Sequence, residues 1–222
     1  MFACKKVLIT AGPTYEAIDP VRFIGNRSSG KMGYAIAESF AKRNIEVILV
    51  SGPVALELKH PLLTIINVES AHEMYEVCKT HFPHCQGGIL SAAVADFTPE
   101  TVSSSKIKKG NEDHLTIRLI KTKDILACLG QIKSPAQKLV GFSLESDNEI
   151  ENATGKLHEK NLDFIVLNSL RDTGVAFGSD NNKISIINKD GHIISYPLKP
   201  KNEVAEDIVN AFLALFNDKK EV

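Results

Sequence analysis

Two stretches of this sequence bring together residue types that act jointly on phosphate and carboxylate groups. The first is Ala11-Gly-Pro-Thr-Tyr-Glu-Ala-Ile-Asp-Pro-Val-Arg-Phe-Ile-Gly-Asn-Arg-Ser-Ser-Gly-Lys-Met-Gly33. It crowds Arg22, Asn26, Arg27, Ser28 and Ser29, all hydrogen-bond donors, ahead of Gly30-x-x-Gly33. Backbone N–H groups and hydroxyls at the start of a helix hold anions, and Gly30 lets a phosphate come close. The plain alternative is a loop whose Ser28 or Ser29 caps the next helix. The second stretch is Ser91-Ala-Ala-Val-Ala-Asp96-Phe-Thr-Pro, followed by Lys106-Ile-Lys108-Lys109. Ala92 and Ala93 are small enough for a ligand to lie against their backbone. Asp96, alone at a strand end, can accept from a ligand hydroxyl or amide, or help hold a metal ion. Lysines on a loop could close over a triphosphate and neutralise charge in a transition state. Read plainly, Lys106, Lys108 and Lys109 are a solvated charge run.

Two familiar phosphate motifs fail here. A dinucleotide fold sets G-x-G-x-x-G directly between the first strand and helix. In this chain Gly12 ends the strand, but Gly30 and Gly33 come after a long insertion. Gly25-x-x-x-x-Gly30-Lys31 has the spacing of a Walker loop, yet Met32 stands where Ser or Thr should meet magnesium, and no strand runs into Gly25. Cys4, Cys78, Cys85 and Cys128 show neither metal-site nor disulfide-framework spacing and read as idle thiols.

The elements that must position these residues alternate between strand and helix. Val7–Thr10, Ile45–Val50, Leu63–Val68, Gly88–Ala95, Lys138–Phe142 and Phe164–Leu167 read as strands. Lys31–Arg43 has Met32, Ala35, Ile36, Phe40 and Ala41 at helical spacing, and Asn44 ends it. Ser70 and Glu73 announce another helix through a capping box. Ile150, Ala153, Thr154 and Leu157 mark a third, and Val204, Ile208, Ala211, Phe212 and Leu215 a closing one. Phe97 to Arg118 reads mostly as loop, and Lys189-Asp190-Gly191 as the turn of a hairpin between 183–187 and 192–196. The expectation is an α/β fold: a doubly wound, mostly parallel, Rossmann-like sheet with helices on both faces and a C-terminal β-hairpin. Residues 1–222 are expected to form one nucleotide-binding domain.

Bulk properties narrow the classes. With 222 residues, 43% apolar and 24% charged, a sizeable core fits. A net charge of −1 gives no bias toward nucleic acid or an anionic membrane. No apolar run approaches the roughly 18 residues of a membrane helix, and Met1–Thr10 lacks a signal-peptide pattern, so a cytoplasmic location is expected.

Asp19-Pro-Val-Arg-Phe-Ile-Gly-Asn-Arg-Ser-Ser-Gly-Lys-Met-Gly33, with Ala92-Ala-Val-Ala-Asp96 and Lys106-Ile-Lys-Lys109, resembles the phosphopantothenoylcysteine synthetase family in its bacterial, CTP-dependent branch. Gly141-Phe142, Lys156-x-x-x-Lys160-Asn161-Leu-Asp163 and Phe177-Gly-Ser-Asp-Asn-Asn182 resemble it in the same order. The resemblance spans Val7 to the final helix, and its Asn-Arg-Ser-Ser-Gly-Lys-Met-Gly segment is the most specific part. It implies a ligase of coenzyme A synthesis that joins 4′-phosphopantothenate to L-cysteine. CTP, with Mg2+, would activate the carboxylate as an acyl-cytidylate.

The resemblance also implies roles. Asn26 would donate to the developing oxyanion, and Lys106 would steady phosphate charge. The nucleotide would lie across Gly12, Ser28, Gly30, Gly33, Leu90, Ser91, Ala92, Asp96, Phe142 and Asn168. Lys123, Asp124, Ile125 and Leu126 would contact it too, with Lys156 and Lys160 from one helix face. Ala92, Ala93 and Asp96 would line the acyl site. Arg22 would reach a partner subunit's substrate, implying a homodimer, and relatives are often fused to a flavin-dependent decarboxylase. The family pattern does not fix the metal ligands. Two departures stand out: Gly25 where bacterial relatives often have Ser, and Thr122-Lys123 where many have Asn-Pro. The rivals are an NAD(P)-dependent reductase on the same kind of sheet and a nucleotide-sensing protein that binds without reacting. The reductase is disfavoured because Val50-Ser51-Gly52 offers no carboxylate for a ribose.

Overall fold

The structure, a computed structural model, describes residues 4–109, 113–145, 147–169 and 179–217. Along the chain the elements are β1 Lys6–Ala11, β2 Tyr15–Ala17, β3 Phe23–Gly25, α1 Lys31–Lys42, β4 Glu46–Ser51, β5 Leu63–Asn67 and α2 Ala71–His81. They continue with β6 Gly87–Leu90, β7 Phe97–Pro99, β8 Leu119–Lys121, α3 Ile125–Ile132, β9 Lys138–Glu145, α4 Glu149–Glu159 and β10 Phe164–Ser169. The last are β11 Asn181–Asn182, β12 Ser185–Asn188, β13 Ile193–Ser195, β14 Lys199–Pro200 and α5 Lys201–Ala214. Eight strands form one sheet in the order β13-β12-β10-β9-β6-β1-β4-β5. The six from β10 to β5 run parallel, while β12 and β13 are antiparallel.

Alternation along the strands divides the core into two layers. Val7, Ile9 and Ala11 point to the face covered by α1 and α5, where Phe40 and Phe212 meet edge to face at 5.5 Å. Leu8, Ile48 and Val50 point to the other face, under α2, α3 and α4. Burying each of those phenylalanines contributes roughly 1.5–3 kcal/mol. Two helices stop in the same way. Asn44 and Asn161 adopt φ of 60° and 52°, and the next residues, Ile45 and Leu162, donate back to Phe40 O and Leu157 O while burying their side chains. That is a Schellman ending, with Asn doing what Gly usually does.

Most sequence expectations hold, with shifts at the edges. Glu73 does close a box at the start of α2, but it accepts from the amide of Glu69 (2.8 Å) while Ser70 Oγ accepts from Glu73 N (3.2 Å). The strand expected over 88–95 stops at Leu90, and the chain beyond that point leaves the sheet. Ile150 is exposed, so the buried side of α4 is carried by Ala153 and Leu157. The segment 97–118, expected to be loop, begins with β7, which pairs with β8. Helix α3 was missed because Ile125-Leu-Ala-Cys-Leu-Gly is too uniformly apolar to show a period. The hairpin turns at Gly191, φ 76°, as expected. All four cysteines are free, and burial pushes the thiols of Cys4, Cys78 and Cys85 up to about 12, 12 and 11, which keeps them protonated and unreactive. No helix among the described residues is long and apolar enough to cross a membrane.

Candidate functional site

The winding of the sheet reverses at β1. From β1 the chain moves outward to β4 and β5, then returns to place β6 on the other side of β1. Loops leaving β1 and β6 therefore diverge, and ligands of such sheets bind in that crevice beyond the strand ends. Both chemistry-bearing stretches leave from these two strands.

The two loops are stitched together bond by bond. Ser91 Oγ donates to Thr10 O (2.7 Å), and Thr10 Oγ1 accepts from Ala92 N (3.1 Å). Ala93 N donates to Gly12 O (2.9 Å), and Ala95 N to the buried hydroxyl of Thr14 (3.0 Å). Asn26 Nδ2 lies 2.9 Å from Ala93 O and 3.1 Å from Val94 O. Two carbonyls facing one amide fix which end is nitrogen, since the oxygen there would be repelled. Thr122, just past the end of β8, adds a clamp, giving its hydroxyl to Ala95 O (2.7 Å) and its N–H to Asp96 O (3.0 Å). The sequence reading aimed the Asn26 donors at a ligand. Here they hold the 93–94 peptides, so donation to an oxyanion requires exchanging one of these bonds.

The crevice has two chambers sharing a wall of Ala92, Ala93, Phe142 and Leu144. The smaller, about 200 Å3, sits at the start of α1 and is lined by Ser28, Ser29, Gly30, Lys31, Gly33, Asn168, Asn182 and Lys201. Gly30 caps α1 at φ 75°, and no side chain caps the helix or places an acid in its first turn. Gly30 N donates to Ser28 Oγ (3.4 Å), and the positive end of the helix dipole faces the chamber. Gly33 is there for packing: a Cβ would come 2.5 Å from Ala11 Cβ and 2.7 Å from Ser91 Oγ. Lys31 Nζ pairs with the exposed carboxylate of Asp180 (2.6 Å), and Lys201 Nζ donates to Ser179 O. Burial, followed by the nearby charge of Lys31, pushes Lys201 below the usual lysine range. The charged residues of the described lining are Lys31, already paired with Asp180, and Lys201.

The larger chamber, about 530 Å3, is lined by Leu90, Asp96, Lys121, Lys123, Asp124, Ile125, Leu126 and Lys160 among others. Asp124 caps α3 by accepting from Ala127 N (2.9 Å) and pairs with Lys160 (2.7 Å). Burial pushes the Asp124 carboxyl up, but the bonds from Lys160 and Ala127 outweigh it, and the net position is below the usual range. Lys123 lies over the Tyr75 ring at 4.2 Å and 3.8 Å from Glu76.

Other expected residues sit elsewhere. Lys156 lines neither chamber; it binds Glu145 and Ser143 (3.3 Å) at the end of β9. Gly12, φ 79°, stands behind Gly30 and lines neither chamber. Lys106 is exposed on the 100–109 loop, and Arg22 is bound to Asp19 and Ile107 within its own chain. Lys201, Thr10 and Thr14 carry no functional expectation in the sequence, and Lys31 and Asn182 enter only as members of motifs. Thr10 and Thr14, which flank Gly12 at strand-end spacing, carried the one usable signal. No group of three or more His, Cys, Asp or Glu side chains that could hold a metal ion forms among the described residues.

A mostly parallel, doubly wound sheet with this crevice at its switch point defines a Rossmann-like α/β domain. The chain belongs to the family described as the DNA/pantothenate metabolism flavoprotein C-terminal domain, which matches residues 2–215. It is 46% identical over 211 residues to the coenzyme A biosynthesis bifunctional protein CoaBC of Bacillus subtilis, covering 95% of this chain and 52% of that protein. It is 52% identical over 211 residues to a cysteine/cysteine sulfinic acid decarboxylase of an unknown prokaryotic organism, covering 95% of this chain and 58% of that one. The chain thus spans about half the length of the curated relatives it matches. The crystal structure of a CoaBC C-terminal domain superposes with a TM-score of 0.82 at 44% identity, covering 97% of both chains. A Cab2 variant solved with phosphopantothenate-cysteine shares the fold, with a TM-score of 0.77 at 18% identity over 98% of this chain and 89% of that one.

Proposed function

We propose that this chain is a phosphopantothenate–cysteine ligase that uses CTP. The observation that carries the reading is the pairing of a chamber lined by Lys31 and Lys201 at the start of α1 with a second chamber across a wall of Ala92, Ala93, Phe142 and Leu144, in a family whose members include CoaBC. A nucleoside triphosphate fits the pair, with phosphates at the start of α1 near Lys31 and Lys201 and the nucleoside beside Asp124 and Lys160. The substrate carboxylate would lie against Ala92 and Ala93, near Asp96.

A carboxylate resists attack until one oxygen becomes a good leaving group. Its oxygen attacks the α-phosphorus of CTP, the bond to the bridging oxygen breaks, and pyrophosphate leaves with that electron pair. The amine of L-cysteine then attacks the acyl carbon and loses its proton, and the bond to CMP breaks. Asn26 would release one of the carbonyls it now holds, Ala93 O or Val94 O, to donate to the developing oxyanion, and loss of one such donor costs about 10²–10³ in rate. Mg2+ would arrive on the nucleotide's phosphates, which suits an ion that keeps most of its water and takes few protein ligands. A homodimer in which Arg22 serves the neighbouring subunit, a flavin-dependent decarboxylase as fused or separate partner, and a cytoplasmic location belong to the same reading. The decarboxylase name of the 52%-identical relative describes a longer protein.

The test is pyrophosphate release with phosphopantothenate and L-cysteine, supplying CTP, ATP or NADPH in separate arms, with product identified by mass. CTP-dependent formation of phosphopantothenoylcysteine is expected. Release with ATP but not CTP would overturn the nucleotide assignment, and NADPH oxidation without pyrophosphate would restore the reductase.

A further inference from the structure

The loop carrying Lys106 is tied to the β2–β3 hairpin by Ser103 N, which donates to Ile18 O (3.0 Å), and, next to the lysine itself, by a buried carboxylate no functional role yet covers. Asp19 lies in the turn between β2 and β3 and is only 3% exposed. Its Oδ1 accepts from the amides of Val21 (2.8 Å) and Arg22 (2.9 Å), which shape the turn. Its Oδ2 accepts from Arg22 Nε (3.0 Å) and Nη2 and from the amide of Ile107 (3.1 Å). Arg22 Nη2 also donates to Ile107 O (2.8 Å). The Ile107 residue is therefore gripped at both ends, its N–H by the carboxylate and its carbonyl by the guanidinium. Lys106 and Lys108 are its two chain neighbours.

We infer that Asp19, acting with Arg22, is a positioning residue that sets where the Lys106 ammonium can reach. Three observations support this. Around Lys106 the chain carries Ser103, Ser104 and Ser105 on one side and Lys108 and Lys109 on the other, with little apolar side chain to bury apart from Ile107. Polar bonds to the hairpin therefore do the work that packing does elsewhere. The guanidinium beside Asp19 holds its carboxyl well below the usual carboxylate range, so the grip persists across ordinary pH. The same hairpin, a few residues further on, presents Asn26 to Ala93 and Val94. One rigid arm thus fixes both Asn26 and the loop that carries Lys106, with the Tyr15 and Phe23 rings stacked at 3.8 Å along it. Arg22 keeps an exposed edge, so gripping Ile107 leaves it room to meet an anion.

The proposal rests on the ligase reading, and its test separates the two. Wild type, Asp19→Asn, Lys106→Met and the double variant are assayed for CTP-dependent pyrophosphate release and for melting temperature. Misplacing a reacting group by about 1 Å costs about 10²-fold in rate. Asp19→Asn should lower kcat by most of the Lys106→Met loss, leave the KM for CTP within about threefold, and add nothing in the double variant. Multiplicative losses, or wild-type kcat in Asp19→Asn, would sink the proposal. If Asp19→Asn does not fold, Ile107→Pro removes the gripped N–H without touching the hairpin, and the same non-additivity with Lys106→Met decides. If wild type releases no pyrophosphate, the ligase reading has failed separately. Tryptic cleavage after Lys106, Lys108 and Lys109 then decides the grip, rising in Asp19→Asn if it is real and unchanged if it is not.

Discussion

The ammonium of Lys160, which caps the C-terminus of α4, lies 2.7 Å from Oδ2 of Asp124, which caps the N-terminus of α3. One ion pair therefore joins two helix ends at the mouth of the larger chamber. Its carboxylate favours the positive end of α3, and its ammonium the negative end of α4.

Asp124→Asn keeps a capping oxygen but loses the charge, so the melting temperature should drop by only a few degrees, about 1 kcal/mol or less. Lys160→Met leaves the Asp124 carboxylate beside the nucleotide and should raise the KM for CTP more than Asp124→Asn does. Steady-state kinetics with varied CTP compare them, and equal effects would place the nucleoside elsewhere.

Asn26→Asp puts an anionic oxygen against Ala93 O and Val94 O. The loop 91–96 should loosen, and coupling to cysteine should fall by about 10²–10³ or more, while CTP still binds. Calorimetric titration with CTP and assay of phosphopantothenoylcysteine check the two halves. Retained coupling would remove Asn26 from the chemistry.

Lys201→Met removes one of the two cations in the described lining of the smaller chamber. A charged hydrogen bond is worth about 1.5–3 kcal/mol, so affinity for CTP and inorganic pyrophosphate should weaken roughly ten- to hundredfold. The KM for L-cysteine should stay put. Unchanged pyrophosphate binding would show that phosphate does not enter at the start of α1.

Glu145 carries a pH-dependent prediction. Burial pushes its carboxyl up, but the ammonium of Lys156 and the hydroxyl of Ser143 outweigh that and leave it below the ordinary 4.5. A carboxyl depressed in the folded state stabilises fully above its unfolded pKa and loses that contribution as pH falls through the folded value. Thermal melts from about pH 7 to about pH 3 should show wild type above Glu145→Gln at neutral pH, with the gap closing only below about 4.5. A pH-independent gap would contradict the assignment.

The scaffold was legible because burial writes itself into sequence. Val7 to Ile9 and Val47 to Val50 are apolar on both faces, and only a covered parallel strand tolerates that. The donor-rich loop was legible because so many N–H groups and hydroxyls have no reason to crowd a surface turn. What stayed hidden was partnership. Nothing in the order of residues says that Asn26 gives its N–H groups to the backbone, that Lys156 is claimed by Glu145, or that Lys201 enters a chamber from the first turn of α5. Those depend on which strand ends meet across the sheet. Asp19 was quoted as part of a motif, but its bond to a residue 88 positions later is set by topology alone.

The excursion between β1 and α1 has a narrow neck. A Cβ on Gly30 would fall 3.4 Å from Gly12 N, so the chain returns almost to where it departed. Removing everything between would leave a tight glycine crossing of the kind ordinary dinucleotide folds use. The reactive arm is therefore an excursion closed at two glycines and anchored by bonds to neighbouring loops, and a side chain added at either glycine would pry open its base and shift everything it carries.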